Sequence, residues 1–346
     1  MISRSQELRS AEKISKIDLH CHLDGSVPFA FTKHVCRMRG EDYSDAEIIR
    51  QMQVDEGCRS LTQYLEKFDL SIRCMSEPDL IEQASEAFME SLVPDKVKYV
   101  EVRFSPALLQ TKDMGERQIL KCVLKGLERG GRRHGIFYQV IVCAMRHFNE
   151  EANLSTFRTA AEFLGGGVCA VDLAGDESRY PTETFRNLFR RASQMHFPIT
   201  IHAGECGDVE SIRHAVAMGA VRIGHGIAMR GHEEVEKICQ EKRIGIEMCP
   251  VSNMQTGAVK SISEYPLREF MEHQLCVTVN TDNRTVSNTS LVKELQFLEK
   301  NINLTRQEMF WLQRNAVFAS FAPETVKRTL YQILDEEEKG YGDTTQ

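Results

Sequence analysis

No stretch of this chain approaches the ~18 consecutive apolar residues of a membrane span. Its opening, MISRSQELRSAEK, is polar and charged, without the apolar centre of a secretory leader. A cytoplasmic location with no membrane partner is the expectation. No CxxC pair occurs among the eleven cysteines, which are scattered singly from Cys21 to Cys276. Neither a disulfide framework nor a cysteine-built zinc site is indicated, and the cysteines read as small buried apolar residues in a reducing compartment. Basic residues form only short clusters such as Arg132-Arg133 and Arg190-Arg191, and the formal net charge is -7. Such a surface repels phosphate backbones, so nucleic acid is not an expected partner. There is no internal repeat, low-complexity tract or linker to mark a second domain. What remains is an ordinary globular composition, 42% hydrophobic and 27% charged over 346 residues, enough for one large barrel or two average domains.

Short segments rich in Val, Ile and aromatic residues recur along the chain. They are KIDLH from Lys16, YVEVRF from Tyr99, FYQVIVCAM from Phe137, VCAVDLAG from Val168, PITIHAG from Pro198, VRIGHG from Val221, IGIEMCP from Ile244 and CVTVNTD from Cys276. Strands separated by helix-length segments pair in parallel through crossovers. Amphipathic runs such as ERQILKCVLKGLERGGRRHG and DVESIRHAVAMG, the latter closed by Gly219, supply those crossovers. Eight such units predict an α/β fold, a (β/α)8 TIM barrel, as a single domain over residues 1–346. No GxGxxG follows the first strand, so a dinucleotide-binding open sheet has no support. About seventy residues separate strands one and two, and residues 27–97 are expected to form several helices, a helical insertion over the barrel mouth that reads as a lid. VKELQFLEKNI and the stretch from Arg306 to Leu334 read as closing helices, and the tail EEEKGYGDTTQ as solvated or frayed.

Residues at the C-terminal ends of barrel strands carry chemistry. His20 and His22 end strand one, His202 and Glu205 strand five, His225 strand six and Asp282 strand eight. A lone histidine at a strand end is more often structural than a ligand. His20 and His22 differ, because a strand has a period of two and both therefore face the interior. Two neutral imidazoles there call for a metal; zinc is the first expectation, and iron and nickel also suit. With His202 and Asp282 the set becomes three histidines and one carboxylate with a position open for water, a catalytic rather than a structural site. Such an ion lowers the pKa of its water from about 16 toward 7. VDLAGDE on strand four holds no lysine that could be carboxylated to bridge two metals, so a single ion is expected.

Together, IDLHCHLDGS, VEVRFSP, VDLAGDE, IHAGE, IGHGI, EMCPVSN followed by Thr256-Gly257, and VNTD resemble the adenosine deaminase family of purine-metabolising enzymes, a branch of the barrel-shaped metal-dependent hydrolases. They do not resemble the zinc deaminases built on H-x-E and PCxxC. The resemblance implies one Zn2+ per chain held by His20, His22, His202 and Asp282. It implies that Glu205 donates a proton to N1 of the purine, that His225 orients and deprotonates the attacking water, and that the backbone at Gly175 meets the N3 side of the ring. Asp282 thereby belongs to the catalytic set as well, and His22 to the substrate-binding set. An amidine carbon is a poor electrophile, so a strong nucleophile on one side must be matched by a protonated ring nitrogen on the other. Glu205 must therefore keep a proton near neutral pH, and a pKa raised by burial is predicted; by itself it also reads as a carboxylate at a helix N-terminus.

Asp24 bears on the substrate. In the family's nucleoside deaminases this position resembles a contact to the ribose 5'-hydroxyl, whereas relatives acting on free adenine tend to have glutamate and those acting on N6-methylated nucleotide asparagine. The implied substrates are adenosine and 2'-deoxyadenosine, small-molecule purine nucleosides. Adenine or modified adenosines and adenine nucleotides are the alternative, and an aspartate opening a DG turn is the structural reading. Tyr64 and Phe68, four apart in QYLEKF, share a helical face that would either cover the nucleoside or join the core. One position departs from the family: its two consecutive aspartates are here Asp282-Asn283. The second resembles the residue bonded to the purine's N7, to which an asparagine amide donates at any pH while an acid must first be protonated.

Overall fold

β-Branched residues suit a pleated, buried surface, and the Val- and Ile-rich segments form the strands. In the computed structural model, which describes residues 10–55 and 57–342, these are β1 (Lys16–His22), β2 (Val97–Phe104), β3 (Phe137–Met145), β4 (Val168–Ala174), β5 (Thr200–Ala203), β6 (Arg222–His225), β7 (Gly245–Met248) and β8 (Cys276–Val279). Neighbouring strands are parallel in two runs, β1 to β4 and β5 to β8. Single parallel bridges join the runs at both seams: Val171 with Ile199 between β4 and β5, and Cys21 with Asp282 where the chain leaves β8. The molecule is thus the expected α/β barrel. β5 to β8 are shorter than the segments read as strands, since Gly204, Gly226, Cys249-Pro250 and Asn280-Thr281-Asp282 lie beyond the strand ends. The candidate site is carried by these strand ends and the turns that follow them.

The connecting helices start and stop for local reasons. Ser44 and Glu47 form a capping box at Asp45–Met52, as Thr305 and Glu308 do at Arg306–Ala319; Gly135, at φ 66°, ends Glu116–His134. Between β1 and β2 lie the helices Phe29–Met38, Asp45–Met52, Leu61–Leu65, Asp69–Cys74 and Pro78–Ser91. The stretch from Arg306 to Leu334 divides at Ser320, beyond which the amide of Phe321 donates to Glu101 Oε1 at 2.6 Å. The tail differs from expectation: Glu324–Gly342 is one helix, and Glu337 accepts from the amide and hydroxyl of Ser15 at 2.7 and 2.8 Å, anchoring it to the start of β1. Residues 1–9, most of the opening stretch, and residues 343–346 of the tail lie outside the described residues. No described helix is long and apolar enough to cross a membrane. The cysteines are free, and all but Cys206 and Cys276 are buried.

The barrel interior carries buried charge. Arg103 reaches Asp172 Oδ2 at 2.9 Å and Glu247 Oε2 at 2.7 Å; Arg222 reaches Glu247 Oε1 and Glu101 Oε2, both at 2.6 Å. Charges taken out of water are costly unless paired and hydrogen-bonded. Here each carboxylate shares its guanidinium with another, and two of these carboxylates also hold histidines.

Candidate active site

Parallel pairing sets the C-terminal ends of β1, β5 and β8 around one mouth. His20 and His22 come from β1, His202 from β5, and Asp282 from the turn after β8. One ligand atom from each of the four lies within 4.8 Å of the others. His22 Nε2 and His202 Nε2 are 3.1 Å apart, and Asp282 Oδ1 stands 3.3 Å from His20 Nε2 and 3.5 Å from His22 Nε2. His20 Nε2 is buried and makes no aligned hydrogen bond, an orphan that a metal ion would satisfy. Three imidazoles and a carboxylate fit a first-row divalent metal.

Partners behind these side chains aim them. His20 Nδ1 meets Glu247 Oε2 at 2.8 Å, His202 Nδ1 lies 2.9 Å from Asp172 Oδ2, and Asp282 Oδ2 accepts from Ser252 Oγ at 2.6 Å. With Nδ1 engaged, each of these two rings presents Nε2 to the shared centre. A Cβ at Gly224 would stand 3.1 Å from both His20 Cε1 and His202 Cα, so a side chain there would wedge the two ligands apart. His225 and Asp282 adopt φ of 64° and 58°, left-handed conformations uncommon for such residues and concentrated at functional sites.

Burial pushes the pKa of His22, His202 and His225 down, so these rings are neutral. Burial would raise Asp282, but the close approach of His20 outweighs it and holds the carboxyl well below its ordinary range. Glu205 moves the other way: burial, then the charges of Asp282 and Glu177, push it up to about 8.

Beside the ligands lies a cavity of about 400 Å³, lined by Asp24, Gly175, Glu205, His225 and Asn283 together with His22, His202 and Asp282. His20 sits fully buried behind it. Glu205 Oε2 is 3.7 Å from His225 Nε2. Burial pushes Asp24 up to about 6, and its Oδ1 has no protein partner. Gly175 holds φ 109°, a conformation L side chains rarely adopt. Tyr64 and Phe68 line the same cavity, ring centroids 6.2 Å apart. They do not share one regular helix: Tyr64 belongs to Leu61–Leu65 and Phe68 to the tighter turn Glu66–Phe68. The Tyr64 hydroxyl bonds Ser287 Oγ at 2.6 Å.

Several side chains that hold the candidate site in place were not singled out from sequence. Asp172 and Glu247 lie inside the motifs VDLAGDE and IGIEMCP, where only their place on inward-facing strands signals a role. Glu177, in the same LAGDE, accepts from the amides of Gly204, Glu205 and Cys206 at 2.8, 3.0 and 3.0 Å and so pins the turn that carries Glu205. Asn253 accepts at Oδ1 from the Cys249 amide and the Tyr265 hydroxyl, both at 3.3 Å, which leaves its amide nitrogen to donate to His225 Nδ1 at 3.0 Å.

The fold and site define an enzyme of the α/β-barrel class, with histidines and an aspartate gathered at the C-terminal ends of parallel strands. The chain aligns over 99% of its length, and 95% of the other, with an amidohydrolase from Burkholderia ambifaria solved with bound Zn (TM-score 0.88, 18% identity). It belongs to the adenosine deaminase family, whose model matches residues 15–337, and is a hydrolytic deaminase. An adenosine deaminase from Enterococcus faecalis is 37% identical over 326 residues, 94% of this chain and 97% of that protein. The N6-methyl-AMP deaminase of Arabidopsis thaliana is similar in structure, with TM-score 0.83 and 26% identity over 95% of this chain and 98% of that one.

Proposed function

We propose that the protein converts adenosine and 2'-deoxyadenosine to inosine and 2'-deoxyinosine with release of ammonia, a purine-salvage reaction in the cytoplasm, using one zinc ion held by His20, His22, His202 and Asp282. The observation that carries this reading is the pair set against the ligand group: Glu205, a carboxyl held protonated up to about 8, lies 3.7 Å from the neutral ring of His225.

When bound, the metal lowers the pKa of a water toward about 7 and so provides a nucleophile at neutral pH. Glu205 gives its proton to N1 of the purine, which makes C6 electrophilic. Asn253 donates to Nδ1 of His225, so the neutral ring carries its proton on Nε2, the nitrogen facing Glu205. His225 therefore orients the water by donating to it and would steady the oxygen once the water has released its first proton to solvent, the second passing to the departing ammonia; proton abstraction by the neutral ring, implied by the resemblance, does not suit this tautomer. Asp24 Oδ1, buried without a partner, is satisfied by the ribose 5'-hydroxyl, and its charge repels a 5'-phosphate. Asn283 donates to N7, and the bare backbone at Gly175 lets the ring approach. The helices between β1 and β2, which contribute Leu61, Tyr64, Leu65, Phe68 and Ile72 to the cavity wall, act as a lid on a single barrel domain.

The test is ultraviolet absorbance of zinc-replete protein mixed with adenosine, adenine or N6-methyl-AMP, beside a chelated sample. The expected result is a shift toward the inosine spectrum with adenosine, lost on chelation. Preference for adenine or N6-methyl-AMP would overturn the assignment at Asp24, with Asn283 the next residue to examine.

A further inference from the structure

We propose a second metal site, on the outer wall of the barrel, formed by Glu236, Glu269 and His273 and suited to a first-row divalent cation of the zinc class. Among the described residues these three form a group separate from the barrel mouth, with one ligand atom from each within 4.8 Å of the others. Glu236 belongs to the helix Glu233–Glu241 that follows β6, Glu269 to Leu267–Glu272 that follows β7, and His273 caps the latter. The two helices are neighbours, since Gln240 Nε2 donates to the backbone oxygen of His273 at 2.9 Å.

The decisive atom is on Glu236. This residue is 5% exposed; its Oε2 meets His273 Nδ1 at 2.5 Å, while its Oε1 is buried with no hydrogen-bond partner. A carboxylate oxygen removed from water without a donor is costly, and a cation beside it removes that cost. Arg230 Nε occupies Glu269 Oε2 at 3.1 Å, which leaves the other oxygen of Glu269 for a ligand bond. One imidazole and two carboxylates suit zinc, cobalt or nickel, whereas calcium takes six or more oxygens and magnesium retains most of its waters. The site spans two helices joined by few polar contacts, so the ion acts as a staple on the wall. His273 is about half exposed, giving the ion a way in.

The test dialyses the holoprotein against micromolar zinc, counts metal by mass spectrometry, and compares wild type with H273A and E236Q. Counting by difference makes the result independent of how the barrel mouth loads and of the deaminase reading. The expected result is one more zinc per chain in wild type than in either variant, a Tm that rises with zinc in this range only in wild type, and an unchanged kcat, because neither residue touches the cavity. Equal metal content in all three proteins overturns the site, and an equal rise of Tm with magnesium overturns the zinc-class assignment. Should E236Q fold poorly, H273A carries the comparison, since His273 is largely at the surface.

Discussion

Glu205 keeps a proton that the unfolded chain would release. Its ordinary value is 4.5 and the folded one about 8, so between these values the native state binds more protons than the unfolded state, and its stability falls as pH rises through that window. The proposed acid role and stability thus pull in opposite directions at one side chain. Glu205→Gln should reduce turnover by about 10²- to 10⁴-fold, the usual worth of a general acid, without changing metal content. Calorimetry should show its Tm gaining on wild type as pH rises across the same window; a constant gap would mean the carboxyl titrates normally. Because a dication at the neighbouring ligands favours the ionised form, the alkaline limb of kcat/KM should lie at or below about 8. At this scale the sequence was legible where motif residues stand at strand ends, as with His20, His22, His202, Glu205 and Asp282. It was not legible where a role depends on a pairing across the barrel: nothing local tells that Glu247 meets His20, 227 positions away, or that Asp172 lies against His202.

Elements deliver these residues by ending where they do. β5 and β6 stop after four residues each; the turn beyond β5 brings Glu205 to the cavity, and His225, the last residue of β6 with φ 64°, lines it from the strand end. Alternation of apolar and charged stretches foretold the strands, but the turns drawn into them could not be separated by composition, since CP and NTD are as compatible with a strand end as with a loop. The helix expected over Tyr64 and Phe68 was legible as helical, whereas its tightening at Glu66–Phe68 depends on tertiary packing. The turn after β5 is held from outside by Glu177, whose carboxylate gathers three successive amides. Glu177→Ala should leave those donors unpaired in a buried setting, at roughly 1–3 kcal/mol for each that water cannot reach. Tm should fall by several degrees, and kcat should drop more than KM rises, because the loosened turn misplaces the proposed acid while the proposed substrate contacts Asp24 and Asn283 stay in place. A change confined to KM would show instead that the turn serves binding.

The barrel as a whole is closed by little backbone pairing. Each seam between its two four-stranded runs has one bridge, and at the second seam the amides of His22 and Asp282 donate to the carbonyls of Asp282 and His20 at 2.7 and 2.8 Å. The proposed ligands sit astride this construction: His20 and His22 in the first run, His202 in the second, and Asp282 on the seam. An ion there joins both halves, so its binding energy is also closure energy. Anything that binds only the folded state stabilises it by about 2.7 kcal/mol at a free concentration a hundredfold over Kd, and more when tighter. Chelation should therefore lower Tm by several degrees as well as abolish activity, zinc should restore both, and hydrogen exchange should quicken first at the amides of His22 and Asp282. Acid should act in the same direction, because His22 and His202 bind metal only when neutral and protons compete for them. If chelation removed activity but left Tm and exchange at the seam unchanged, the buried pairs of Arg103 and Arg222 with Asp172, Glu247 and Glu101 would be sufficient to hold the barrel shut, and the ion's role would be chemical alone.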